Sequence, residues 1–210
     1  MTWSGEEVQR RSGSRAVVAA QVIALFVALL YAVELVDSAL GGRLDRSGIR
    51  PRETEGLDGI LFGPVLHAGW GHLIANTVPL LVFGFLILLA GVGRWLAVTA
   101  LVWVVGGVGV WLTGGEHTLH LGASILAFGW LVYLLLRGLF SRSAGHIAVG
   151  AILLLLYGSL LWGVLPGQPG VSWQGHLFGA LGGAFAAWWL DSRPAQGASR
   201  SMTQPTSPRR

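Results

Sequence analysis

The chain has 210 residues, of which 53% are hydrophobic and 11% charged, with a mean hydropathy of +0.63. This lies outside the range of water-soluble domains and marks a multi-span membrane protein whose first partner is the lipid bilayer. All fourteen basic residues are arginine and the pI is near 10.6, yet no basic stripe interleaves with aromatics, so no nucleic acid is implied. The absence of cysteine excludes disulfides, thiolate nucleophiles and zinc–thiolate sites.

Residues 1–15 form a polar N-terminal segment with Arg10, Arg11 and Arg15. The apolar run from Ala16 to Val36 is long enough to span and lacks the short core of a cleaved leader, so it reads as a retained first helix. Residues 38–71 set Arg43, Arg46, Arg50 and Arg52 against Asp45, Glu53, Glu55 and Asp58. That balance predicts a folded outer loop with short interfacial helices. Further spans are predicted at about His72 to Val92, Arg94 to Leu112, Gly122 to Leu136, His146 to Trp162 and His176 to Leu190. The membrane domain is therefore 16–190, an all-α bundle of six transmembrane helices. The tail, 191–210, is rich in Ser, Pro, Gly and Arg and has too few apolar residues to pack, so it is expected to be disordered.

Ten of the arginines fall on the N-terminal side of this topology and four on the other, all in the first loop. The positive-inside rule then places both termini in the cytoplasm of a multi-pass cell-membrane protein. Trp111, Trp162 and Trp173 fall near the outer interface, and Trp95, Trp188 and Trp189 near the inner one, as an aromatic belt.

In this arrangement the second, fourth and sixth spans run in the same direction, and their first turns share one depth below the outer surface. The polar residues of the spans collect there. His72 and Asn76 lie four apart on one face of the second span, Ser124 opens the fourth behind Gly122, and His176 opens the sixth. Singly, Ser124 reads as a small packing residue, Asn76 as interhelical glue, and His176 as a relay or a core histidine. Together they fit a division of labour in which His176 removes the proton of Ser124. Donors from His72, Asn76 and the Ser124 amide then face an oxyanion. No acidic third member lies at this depth, so the scheme is a Ser-His dyad.

Three linked motifs resemble those of the rhomboid intramembrane serine proteases: His67-x4-His72-x3-Asn76, Gly122-x-Ser124 opening a mid-chain helix, and His176-x2-Gly179-x3-Gly183 in the last. The likeness runs from about Leu57 to Trp189. It implies a six-helix rhomboid-like bundle that cuts transmembrane protein substrates, with Ser124 as nucleophile, His176 as base, and His72, Asn76 and Gly122 supporting the oxyanion site. It also implies a cap over the site at Gly163 to Gln174. Independently, Gly175, Gly179 and Gly183 give the last helix a flat face for close approach to the helix of Ser124. In one place the chain departs from the family pattern, which has glycine directly after the serine where this chain has Ile125. A bulky residue there is expected to crowd its neighbours at a cost of about 1–3 kcal/mol. That departure keeps a second function open, a weak or inactive rhomboid-like protein that binds membrane clients. A transporter with His72 and His176 as a proton relay is disfavoured by the lack of an inverted repeat. No cofactor is implied. His67 with His72, and His117 with His120, lack the further ligands a zinc site needs, and His67 is better read as a support for the active site.

Overall fold

The computed structural model describes residues 5–192, with side chains from residue 13 onward; the expected disorder of the tail concerns residues that lie, from 193 on, outside that range. Among the described residues the chain is helical. Helix α1 (Gly5–Ala39) is followed by a folded segment holding the short α2 (Asp58–Phe62), then by α3 (Trp70–Leu88), α4 (Val92–Thr113), α5 (Ser124–Ser141), α6 (Ala144–Tyr157) and α7 (Trp173–Asp191). Helix α1 starts upstream of the expected Ala16, so part of the polar N-terminal segment continues the first helix. The predicted fifth span changes character partway. Its α-helix ends at Tyr157, and Gly158–Val164 continues as 3-10 turns.

Among the described residues, five helical segments are long and apolar enough to cross a membrane: Gly13–Ala39, Trp70–Leu88, Val92–Thr113, Ser124–Ser141 and Ala144–Val164. Helix α7 occupies the position of the sixth predicted span and has 19 residues, but it is not among the five. Its composition gives the reason, for it holds Gln174 and His176 and only three large aliphatic residues, Leu177, Leu181 and Leu190.

Helix α5 is the centre of the bundle. Its apolar window is 61% buried, against 11% for the segment Ala144–Val164, and its Trp130, Leu131 and Tyr133 are fully enclosed. It packs most extensively on α7, and glycine makes that contact close. A Cβ on Gly129 would lie 2.7 Å from the Gly179 carbonyl oxygen, and Cβ atoms on Gly179 and Gly183 would collide with the carbonyls of Ile125 and Gly129. Inside a membrane, helices associate by such packing rather than by escape from water.

The segment between α1 and α3 is tied to the same end of the bundle. Ile49 and His120 exchange backbone hydrogen bonds, with N–O distances of 2.8 and 3.0 Å, and the Gly122 amide donates to the Gly63 carbonyl at 2.9 Å. The indole nitrogens of Trp103 and Trp111 on α4 donate to the carbonyls of Ile60 and Glu53 at 2.8 and 3.0 Å. The expectation of short helices in this loop is met by α2 and three 3-10 turns.

Candidate active site

The residue that opens α5 is Ser124, and the backbone before it determines where its hydroxyl sits. Gly122 has φ +120°, a conformation that side-chain-bearing residues rarely adopt, and the chain turns there into the helix. The Ala123 amide donates to Nε2 of His67 at 3.3 Å. The amides of Ser124 and Ile125, first in the helix, have no intrahelical acceptor. They lie where the helix dipole is positive. His67, only 1% exposed, therefore secures the strand of chain that leads to the serine. Burial, reinforced by the neighbouring His72, pushes its pKa down to about 4, which keeps the ring neutral and Nε2 able to accept.

Ser124, His176, His72 and Asn76 line a single cavity of about 610 Å³. Four side chains predicted from three separate stretches are thus brought together. His72, in the first turn of α3, rests its ring against Gly122, where a Cβ would fall 2.8 Å from Nε2 of His72 and nearer still to its Cε1. One turn deeper, Asn76 is buried at 7% exposure, and its side-chain nitrogen has no hydrogen-bond partner. A buried amide donor without an acceptor is costly, and Asn76 is one of the residues that line the cavity. Pro79, which also lines the cavity, has no N–H for the Ala75 carbonyl, so α3 runs on there with one backbone hydrogen bond fewer.

His176 is held from two sides. Its Nδ1 lies 2.9 Å from the Gly163 carbonyl oxygen, which can only accept, so Nδ1 carries the proton and Nε2 is left with a free lone pair. Its ring also stacks on Phe128 with centroids 3.9 Å apart and planes 7° from parallel. Phe128 is four residues beyond Ser124, hence on the same face of α5. The nucleophile's own helix thus carries the surface that orients the base. Ser124 Oγ and His176 do not form a hydrogen bond in this resting arrangement. Such contacts are commonly long before substrate binds.

Ile125 does not crowd the cavity. Its side chain is 6% exposed and fits between Gly106 of α4 and Gly175 of α7, where added Cβ atoms would lie 3.3 and 3.2 Å from it. The expected overpacking is absent because two glycines face the larger residue.

Sequence reasoning missed Phe128 and Gly163, the two contacts that fix His176. Phe128 was legible as Ser124 plus four; Gly163 was not, because a carbonyl acceptor has no side-chain signature. Ser172, four residues before His176, was also overlooked. Its hydroxyl caps α7 by accepting from the Gly175 amide at 3.3 Å, and a serine just before a helix is a legible cap.

Residues 55–193 match the Rhomboid domain family. The chain is 52% identical over 186 residues to Rv1337 of Mycobacterium tuberculosis (strain ATCC 25618 / H37Rv), covering 85% of this chain and 78% of the relative. It is 49% identical over 194 residues to ML1171 of Mycobacterium leprae (strain TN), covering 89% and 77%. Both relatives are named as uncharacterized proteins. A candidate rhomboid protease of Bacillus subtilis (strain 168), YdcA, is 31% identical over 121 residues, 57% of this chain and 60% of the relative. No solved structure matches significantly.

Proposed function

The chain belongs to the rhomboid family, and from that premise we propose that it is an intramembrane serine endopeptidase acting on transmembrane protein substrates through Ser124 and His176. One observation carries the reading: a serine at a helix start, a histidine with its Nε2 lone pair free, and an asparagine whose side-chain nitrogen has no partner line the same cavity. Ser124 Oγ attacks the scissile carbonyl and passes its proton to Nε2 of His176. The oxyanion is met by the first amides of α5, with the Asn76 side-chain nitrogen and His72 as further donors. Collapse of this intermediate breaks the C–N bond, and His176 returns the proton to the leaving amine. Water then enters and attacks the acyl carbon as His176 takes its proton; the bond to Ser124 Oγ breaks, His176 returns the proton to that oxygen, and the carboxylic acid product leaves.

The same reading supplies the topology. Helix α7 acts as the sixth span in a six-helix bundle, both termini lie in the cytoplasm by the arginine distribution, and the cavity opens toward the outer face of a cell membrane. The stretch from Gly163 to Gln174 covers it and yields to substrate.

Ser124→Ala is expected to abolish both cleavage of a reporter transmembrane substrate in liposomes and labelling by a fluorophosphonate probe. Cleavage that survives the substitution would reject the mechanism. The absence of a Ser124–His176 hydrogen bond favours a second reading, a non-catalytic binder of membrane clients, which predicts no labelling of the wild-type chain and retained client binding.

A further inference from the structure

His120 lies outside the dyad, at 8% exposure, on the segment that enters α5. Both of its ring nitrogens are engaged. Nε2 lies 2.8 Å from Thr118 Oγ1, and Nδ1 lies 2.7 Å from Ser172 Oγ. The protons can be assigned by elimination. Thr118 Oγ1 spends its hydrogen on the Gly115 carbonyl at 2.6 Å, so it must accept from Nε2–H of His120. Nδ1 of the neutral ring is then an acceptor, and Ser172 Oγ–H donates to it. Ser172 Oγ in turn accepts from the Gly175 amide at 3.3 Å. Four hydrogen bonds run in one direction from the first turn of α7 to the loop before α5, and no donor is left over.

The positions at the two ends matter. His120 is four residues before Ser124, and Ser172 is four residues before His176, whose amide donates to the Ser172 carbonyl at 3.1 Å. The backbone of His120 is itself fixed to Ile49 through the paired bonds described above. The imidazole therefore bridges the two stretches of chain that deliver the nucleophile and the base, at the level of the cavity mouth. Below that level the spacing of α5 and α7 is set by glycine contacts. Above it, the His120–Ser172 bond is the side-chain tie between them.

We propose that His120 is a positioning residue, one that joins the capping serine of α7 to the segment preceding Ser124 and so sets the separation of Ser124 and His176. The inference rests on the catalytic reading of those two residues, but its structural part can be read without activity. The burial of His120 also lowers its pKa, in keeping with the neutral ring that the hydrogen bonds require. A displacement of about 1 Å at a reacting pair can cost about 100-fold in rate, so losing the tie is expected to slow turnover while leaving substrate binding nearly intact.

The test uses the full chain in liposomes and four variants. His120→Phe keeps a ring of similar size and removes both bonds. In His120→Asn the side-chain oxygen stands near the place of Nδ1 and can still accept from Ser172. Ser172→Ala removes the bond from the other side, and the double variant His120→Phe/Ser172→Ala asks whether both act through one contact. The expected result is a fall of about tenfold or more in kcat and in fluorophosphonate labelling rate for His120→Phe, with KM little changed. His120→Asn should recover much of that loss, and the double variant should be no slower than Ser172→Ala alone. Amide hydrogen exchange supplies the readout that is independent of activity. Protection should fall for residues 173–178 in His120→Phe and stay unchanged through the rest of α5 and α7. Wild-type labelling and exchange that both persist in His120→Phe would overturn the proposal, as would protection lost evenly across the bundle. If the wild-type chain itself resists the probe, the catalytic reading fails. The exchange pattern then decides the positioning role alone, confined loss supporting it and no change sinking it.

Discussion

Replacing Gly122 with alanine separates two costs that coincide at this one position. The first is conformational: φ is +120°, and holding a side-chain-bearing residue in such a region costs about 1–3 kcal/mol. The second is steric, because the new methyl would press on the ring of His72, and overpacking of this kind costs about 1–3 kcal/mol more. Gly91 offers the control. It has φ +113°, but a methyl added there would meet nothing within 4 Å, so Gly91→Ala carries only the first cost. Equilibrium unfolding in mixed micelles should find Gly122→Ala destabilised by about 2–6 kcal/mol in all, and by about 1–3 kcal/mol more than Gly91→Ala. If His72 yields instead of the fold, the cost moves to catalysis, where a shift of about 1 Å corresponds to about 100-fold in cleavage rate. Equal stabilities for the two variants, together with wild-type cleavage by Gly122→Ala, would refute the claim that this glycine exists to admit the His72 ring.

Removing the stacking surface with Phe128→Ala should lower kcat more than it raises KM, since the ring orients His176; a pure KM effect in steady-state assays would argue against that role. Lowering the pH should weaken the fold through His67. The unfolded chain takes up a proton near 6.5 while the folded site resists until about 4, so stability contributed by this residue is present above 6.5 and is lost as the pH falls toward 4. Thermal unfolding at several pH values should show the slope, and His67→Gln should flatten it. Gly179→Val should prevent α5 and α7 from closing, because even a Cβ there meets the Ile125 carbonyl; a monodisperse, probe-reactive variant would contradict this. Ile125→Gly should empty the space between Gly106 and Gly175 and destabilise the chain by about 2–5 kcal/mol. Its probe labelling should be weaker than that of wild type, and stronger labelling would mean that the isoleucine restrains the native enzyme.

The predicted spans before Ser124 are recovered because long apolar runs leave few alternatives in a membrane. The polar residues of the cavity were legible for a related reason: a histidine, an asparagine and a serine in otherwise apolar helices stand out against the bilayer as solvent. What could not be read was anything made of backbone. The Gly163 carbonyl that fixes the tautomer of His176 looks in sequence like any other glycine in a loop. His120 shows a different limit. Its nearness to His117 makes no zinc site, and its partner is Ser172, 52 residues away, a range at which contact has no local pattern. The fifth span ends close to where the sequence puts it, at Val164, but hydropathy does not show that Gly158–Val164 tightens into 3-10 turns.

The fit of Ile125 bears on how the site is built. A glycine after the nucleophile would let α5 approach its neighbours through its own lack of a side chain. This chain achieves the same approach by placing the missing side chains on the facing helices, at Gly106 and Gly175. Below Ser124 and His176 the spacing of α5 and α7 then depends on backbone contacts at Gly179 and Gly183, which are hard and short-ranged, and not on the compressibility of side chains. A seam of this type has little freedom to open gradually. Any rearrangement that closes the Ser124–His176 distance when substrate arrives must come from above the seam, where His120, Ser172 and the cap stretch lie, rather than from sliding of the helices themselves.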